Sequence, residues 1–252
     1  MPWPLRRKPA PDEQPVSCGD DELIVLVDPS LDSRLVVYQE PRSYPAEQYR
    51  SFRTNLRAMN PGDSPRTMLF TSAIPDEGKS TTVANIALSL AEFEHLKVCL
   101  VDLDLRAPHM HELFGLERGP GLTDVLLDRM DPRRILQSGG VPNLSVLTAG
   151  RPTGKINEVV GSDYVQDLLA FLKSQYNYII VDSPPCSLFA DASELSKLMD
   201  GVVLVVSLND TTRVQAEEAL GQLGAAGANV LGTFVTGAET ELPTVVADVN
   251  EV

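Results

Sequence analysis

The chain has 252 residues, 43% of them hydrophobic, and 21 Lys plus Arg against 35 Asp plus Glu, a formal net charge of −14. That apolar fraction supports a full core and rules out global disorder. The acidic balance argues against a sequence-independent grip on nucleic acid and against a broad basic membrane-binding surface, since both need clustered Lys and Arg. Cys18, Cys99 and Cys186 are far apart and form no Cys-x-x-Cys pair. That pattern fits incidental thiols in a reducing compartment rather than a disulfide framework or zinc ribbon. No stretch approaches the ~20 apolar residues of a membrane span, and no apolar run follows the basic start. A cytoplasmic protein is expected.

Residues 1–45 carry eight of the nineteen prolines and are expected to form an arm. Within it, Leu23–Val27 and Leu35–Tyr38 are short apolar runs that suit edge strands but are expected rather to dock onto another surface. Ala46–Met59 holds no Gly or Pro and predicts a helix up to Asn60-Pro61-Gly62. Alternating units follow. Strands are expected at Thr67–Thr71, Lys97–Val101, Leu144–Thr148, Tyr178–Val181, Val202–Val206 and Val230–Val235. Helices are expected at Ser80–Glu94, Tyr164–Gln175, Ala192–Met199 and Arg213–Leu223. Continuous apolar strands separated by helices predict an α/β fold, a mostly parallel sheet covered by helices on both faces. Residues 46–238 are read as one domain and 239–252 as an acidic tail.

The stretch Ser72-Ala73-Ile74-Pro75-Asp76-Glu77-Gly78-Lys79-Ser80-Thr81-Thr82 joins the first strand to its helix. Unpaired N–H groups at a helix start attract an anion, and Gly78 lets the backbone approach it closely. Residues Asp76, Glu77, Gly78, Lys79, Ser80 and Thr81 are therefore the expected phosphate-binding loop. Lys79 would neutralise the outer phosphates, and the Ser80 hydroxyl would coordinate Mg²⁺. The pattern G-x-x-x-x-G-K-[ST] has Gly where this chain has Ala73, the smallest replacement.

Two strand ends carry carboxylates. Val98–Val101 leads into Asp102-Leu103-Asp104-Leu105-Arg106, and Tyr178–Val181 leads into Asp182-Ser183-Pro184-Pro185. Ligands of a parallel sheet gather outside the carboxyl ends of its strands. Asp182 and Asp102 are candidate metal ligands beside Ser80, with oxygen donors that Mg²⁺ prefers. Asp102 and Asp104 are candidate catalytic groups, one holding the metal through water and the other accepting a proton from an attacking hydroxyl. Glu47, Arg50 and Arg53 lie three apart and line one helical face.

The combination resembles the bacterial tyrosine kinases that regulate capsule and exopolysaccharide synthesis. Ser72–Thr82 resembles that family's Walker A, Leu100–Arg106 its Walker A′, and Ile179–Pro185 its Walker B. Glu47 to Arg53 resembles its Glu-x-x-Arg-x-x-Arg helix. The resemblance covers about residues 41–236. It implies a P-loop fold, ATP and Mg²⁺, transfer of phosphate to a protein tyrosine, and a ring-like homo-oligomer with Glu47, Arg50 and Arg53 at the contact. It also implies a membrane-anchored partner of polysaccharide export, which would hold the chain at the inner face of the membrane. Nucleic acid is not among the expected partners.

Three features depart from the family. Asp76 stands where these kinases usually have Gly, and its charge is unfavourable near a phosphate unless it points away. No tyrosine follows Tyr178, so the acidic tail cannot carry the family's tyrosine cluster. Thr236 occupies a place where related ATPases often have Asn near the adenine. Two alternatives follow: a non-kinase P-loop ATPase, and a nucleotide-sensing scaffold in polysaccharide export. A partition-type ATPase is disfavoured, because those carry a second lysine at the place of Ile74. His109 and His111 read as surface residues and Cys186 as a packed thiol.

Overall fold

The computed structural model describes residues 30–238. The run Leu23–Val27, the rest of the expected arm before residue 30 and the tail 239–252 lie outside the described residues. The described strands are β1 (Arg66–Ser72), β2 (Val98–Asp102), β3 (Gln137–Ser138), β4 (Leu144–Leu147), β5 (Tyr178–Asp182), β6 (Gly201–Ser207) and β7 (Val230–Thr236). They form one sheet in the order β3-β4-β2-β5-β1-β6-β7. Every neighbouring pair is parallel except β3 against β4.

The strand sequences explain the layering. Successive side chains of a strand point to opposite faces. Val203 and Val205 of β6 therefore enter one core, while Val202, Leu204 and Val206 enter the other. The first face is covered by α1 (Val36–Gln39), α2 (Tyr44–Ala58), α3 (Lys79–Ala91) and α4 (Met110–Leu113). The second is covered by α5 (Leu122–Asp128), α6 (Ile156–Val160), α7 (Tyr164–Gln175), α8 (Asp191–Ser196) and α9 (Arg213–Ala225). Each fully buried Leu, Ile or Phe contributes roughly 1.5–3 kcal/mol. Caps set two of the helix starts. The Ser43 hydroxyl accepts from Ala46 N at 3.3 Å, and Thr212 and Gln215 form a reciprocal capping box.

The segment Leu35–Tyr38 docks onto another surface, as expected, and is not an edge strand. Residues 36–39 form α1, and Leu31, Leu35 and Val37 are buried against α3. The reason is Asn85, fully buried on α3. Its Oδ1 accepts from Val37 N at 3.0 Å, and its Nδ2 donates to Arg34 O at 2.9 Å. That one amide satisfies backbone groups that a strand would have to pair along a sheet edge. Among the described residues, no helix is long and apolar enough to cross a membrane.

Register places the functional strand ends. Phe70 lies opposite Asp182, and Asp102 opposite Asp182. The carboxyl ends of β1, β5 and β2 therefore stand side by side, with the loop after β1 opening above them.

Candidate active site

The loop between β1 and α3 owes its shape to a few residues. Asp76 has φ 62° and Gly78 has φ 75°, both in the left-handed region. Asp occupies that region more readily than most residues, which is how the chain turns without glycine at position 76. Ala73 is fully buried and has no positive φ, so the motif's glycine is not needed there. Glu77 is buried to 1% exposure, and its carboxylate faces the protein. It accepts from Ile74 N at 2.7 Å, from Ser207 N at 3.0 Å and from the Thr211 hydroxyl. Glu77 therefore ties the loop to the end of β6 and leaves only its backbone for a ligand. The Thr236 hydroxyl donates to Glu77 O at 2.8 Å and closes the loop from the β7 side.

A cavity of about 300 Å³ lies in front of this loop, lined by Asp76, Gly78, Lys79, Ser80, Thr81 and Asp104 among others. The first N–H groups of α3 have no acceptor within the helix, and Gly78 has no side chain to cap them. The helix start thus offers donors and positive dipole to the cavity. Asp76 is exposed at its mouth.

Lys79 is only 7% exposed. Its Nζ lies 2.6 Å from Asp182 Oδ1 and 3.4 Å from Asp104 Oδ2. Burial works against the ammonium, but the Asp182 and Asp104 carboxylates outweigh it and hold Lys79 above its ordinary pKa. Ser80 donates to Asp182 Oδ2 at 2.6 Å. Asp182 is fully buried, and its carboxyl lies above the usual range because burial outweighs the pairing with Lys79. Asp102 is also fully buried. Its Oδ2 accepts from Met110 N at 3.1 Å, while Oδ1 has no partner among the described residues. Burial first, and then the Asp182 charge, push Asp102 well above the usual carboxylate range. Asp104 is held by Ala107 N at 3.0 Å. The expected residues Lys79, Ser80, Asp102, Asp104 and Asp182 thus converge on one point.

The donor set fits a hard divalent cation. Ser80 Oγ, Asp182 and the unpartnered Asp102 Oδ1 are all oxygen donors. Among the described residues no group of three His, Cys, Asp or Glu side chains is arranged to hold a metal alone. Mg²⁺ takes one or two carboxylates and completes its shell with phosphate and water.

Several contributors were not expected from the sequence. Arg106 lines the cavity and forks onto Asp191 at 2.9 and 3.1 Å, with its guanidinium 4.0 Å above the Phe189 ring. Arg34 reaches the cavity from the segment read as arm, and Leu188 and Phe189 give it an apolar wall. Cys186 is buried, with its thiol 3.4 Å from Ser72 O and its pKa pushed up by burial. Glu47, Arg50 and Arg53 lie away from the cavity. Arg50 donates to Glu92 and to Glu47 at 2.6 Å each, and Arg53 donates to Glu92 and to Ser89 O. Both arginines converge on the end of α3 in their own chain, while the Glu47 side chain stays 60% exposed.

The chain is 36% identical over 207 residues to the tyrosine-protein kinase YwqD of Bacillus subtilis strain 168, covering 82% of this chain and 87% of that one. The solved kinase domain of the Escherichia coli tyrosine kinase ETK superposes with a TM-score of 0.78 at 25% identity, over 83% of this chain and 82% of that one. The septum site-determining protein MinD of Pyrococcus horikoshii, solved with Mg-ADP, shares the fold at a TM-score of 0.57 and 23% identity, over 68% of this chain and 70% of that one. No family model matches.

Proposed function

The chain belongs to the bacterial tyrosine-protein kinases, and on that premise we propose that it transfers the γ-phosphate of ATP to a protein tyrosine in the control of exopolysaccharide or capsule synthesis. One observation supports this reading above others. Lys79, Ser80, Asp104 and Asp182 meet within hydrogen-bonding reach at the start of α3, with the buried Asp102 carboxylate close enough to feel their charges. A chain with no phosphate to bind has little use for a buried lysine among three buried carboxylates.

Each residue has a distinct part. The N–H groups of residues 78–81 and the Lys79 ammonium hold the phosphates and keep them in line for attack. Ser80 and Asp182 would hold Mg²⁺, directly or through water. When bound, the metal would neutralise charge that develops on the β- and γ-phosphate oxygens. Asp102 supports the metal or accepts the proton of the incoming phenol, and Asp104 assists by holding Lys79. Leu188 and Phe189 form an apolar wall on one side of the cavity.

The proposal extends to assembly and location. Glu47, Arg50 and Arg53 form the contact between copies in a ring. A membrane-anchored protein of polysaccharide export is the activating partner and holds the kinase at the membrane face. A second reading, a nucleotide-sensing scaffold, is favoured by the Asp76 carboxylate at the cavity mouth.

Calorimetric titration with Mg·ADP and Mg·ATP, followed by transfer to a Glu-Tyr copolymer, tests the proposal. Micromolar binding and transfer, both lost in Lys79→Met, are the expected result. Binding without transfer would leave the scaffold reading, and no binding even at millimolar nucleotide would overturn the nucleotide site itself.

A further inference from the structure

The chain has six tyrosines, Tyr38, Tyr44, Tyr49, Tyr164, Tyr176 and Tyr178, and all lie within the described residues. These six are the acceptors that this sequence offers for self-modification. An acceptor phenol has to leave its surroundings and enter a cavity in line with the γ-phosphorus. Burial and ring contacts decide which can.

Tyr178 is 1% exposed, and its hydroxyl bonds to Asn60 at 3.2 Å and to Asp63 at 3.3 Å. It also sits at the amino end of β5, the opposite end from Asp182. Tyr176 precedes that strand and packs against the core. Tyr164 begins α7 under the Arg129 guanidinium and packs against the same core. Tyr38 packs on the other core. Tyr49 is stacked on Phe234, with ring centroids 5.4 Å apart and planes 6° from parallel. Freeing any of these would break up an element or a core contact.

Tyr44 differs. It is 39% exposed, and its neighbours Arg42 and Pro45 are exposed as well. It is the first residue of α2, so it stands on an ordered turn at the helix edge rather than within a face. Ser43 caps that turn, and Arg50 donates to Pro41 O to fix it. A phosphate added there meets the positive end of a 15-residue helix, with Arg42 two residues away.

Tyr44 is not among the residues lining the cavity at Lys79. It lines a separate groove between α2 and β7, together with Tyr49, Phe52, Phe234 and Thr236. Thr236 is bonded to the loop at Glu77, so it stands as a wall between the groove and the phosphate site. The phenol therefore lines a groove other than its own catalytic cavity. It lies three residues before Glu47 on α2, the helix proposed above to meet a second copy.

We propose that Tyr44 is the acceptor of autophosphorylation and that it is phosphorylated by a second copy of the chain. This rests on the kinase reading of the Lys79 site. The phenolic oxygen of Tyr44 bonds to the γ-phosphorus. The bond from that phosphorus to the β,γ-bridging oxygen breaks, and ADP leaves. The phenolic proton passes to a carboxylate of the Asp102–Asp104 pair of the donor copy.

The test mixes two full-length chains of different mass with Mg·ATP: Lys79→Met as acceptor and Tyr44→Phe as donor. Peptide mass spectrometry then locates the phosphate. Label is expected on Tyr44 of the Lys79→Met copy. Tyr44→Phe alone should lose self-labelling by at least about tenfold while phosphorylating the Glu-Tyr copolymer as the wild type does. Should Lys79→Met fail to fold, Asp104→Asn replaces it as acceptor. Wild-type labelling in Tyr44→Phe would overturn the proposal, as would an unlabelled acceptor copy beside a labelled wild type. A labelled copolymer with no self-labelling would overturn the Tyr44 assignment and leave the kinase reading standing. Failure to label either overturns both.

Discussion

Lys79→Met perturbs more than a catalytic contact. Its Nζ lies 2.6 Å from Asp182 and 3.4 Å from Asp104, and Asp102 is buried beside them. Methionine fills much of the volume of lysine but removes the sole cation among these partners. At 3 Å and an effective dielectric near 20, one such pair is worth roughly 5 kcal/mol before desolvation is counted. Measured losses on removing one member of a buried pair are about 3–5 kcal/mol. Part of that is recovered here, because the abandoned carboxylates can take up protons. The expected net loss is about 3 kcal/mol at pH 8, or roughly 6–12 °C in Tm for a chain of this size. The loss should shrink toward pH 6. In the variant Asp182 has a folded pKa above its unfolded value of about 3.9, so the folded state holds the extra proton and stability falls as pH rises. Urea unfolding followed by far-ultraviolet circular dichroism at the two pH values measures this. Adding Asp182→Asn to Lys79→Met should restore at least half of the loss. A variant as stable as the wild type at pH 8, or a loss that grows on acidification, would refute the charge-cluster account.

Other consequences are equally direct. Asp76→Gly removes a carboxylate from the cavity mouth and relieves a left-handed φ of 62°, so Mg·ADP should bind a few-fold more tightly, about 1 kcal/mol, with calorimetry as the check. Replacing Glu47, Arg50 and Arg53 together by Ala should shift a large assembly to a monomer in light scattering, and should also lower stability by about 1–2 kcal/mol through loss of the Glu92 pairs. Unchanged mass would remove the ring. Arg57 first, by its hydrogen bonds, and then its charge hold Asp63 below the usual carboxylate range. That stability is present above about pH 4 and lost as pH falls through the depressed value, so Asp63→Asn should flatten the acid limb of the unfolding profile between about pH 4 and pH 2.

The strands and the phosphate loop were legible because their signals are local. Val202–Val206 and Tyr178–Val181 are apolar on both faces, and only a strand buried in a covered sheet suits such a run. Gly78-Lys79-Ser80 sits between a strand and a helix, where backbone donors make an anion site whatever surrounds them. Tyr164–Gln175 has the predicted bounds, because its apolar spacing and the adjoining strand leave it no other start or end. The short helices α4, α5 and α6 were not expected. Each is seven residues or fewer, and helices of that length are held by tertiary packing rather than by propensity.

The sequence by itself determined the α/β layering, the phosphate loop and the strand-end aspartates, since each depends on neighbours within a few residues. Only the tertiary structure decided the strand order, and with it the pairing of Asp102 beside Asp182. It also decided that Glu77 turns inward to Ser207, 130 residues away, and that Arg106 forks onto Asp191, 85 residues away. It brought residues 31–39 onto α3 through Asn85, and it turned Arg50 and Arg53 toward Glu92. These are contacts between distant parts of the chain. A charged or amide side chain carries no local mark of the partner it will find, because the partner is chosen by which elements the two cores bring side by side.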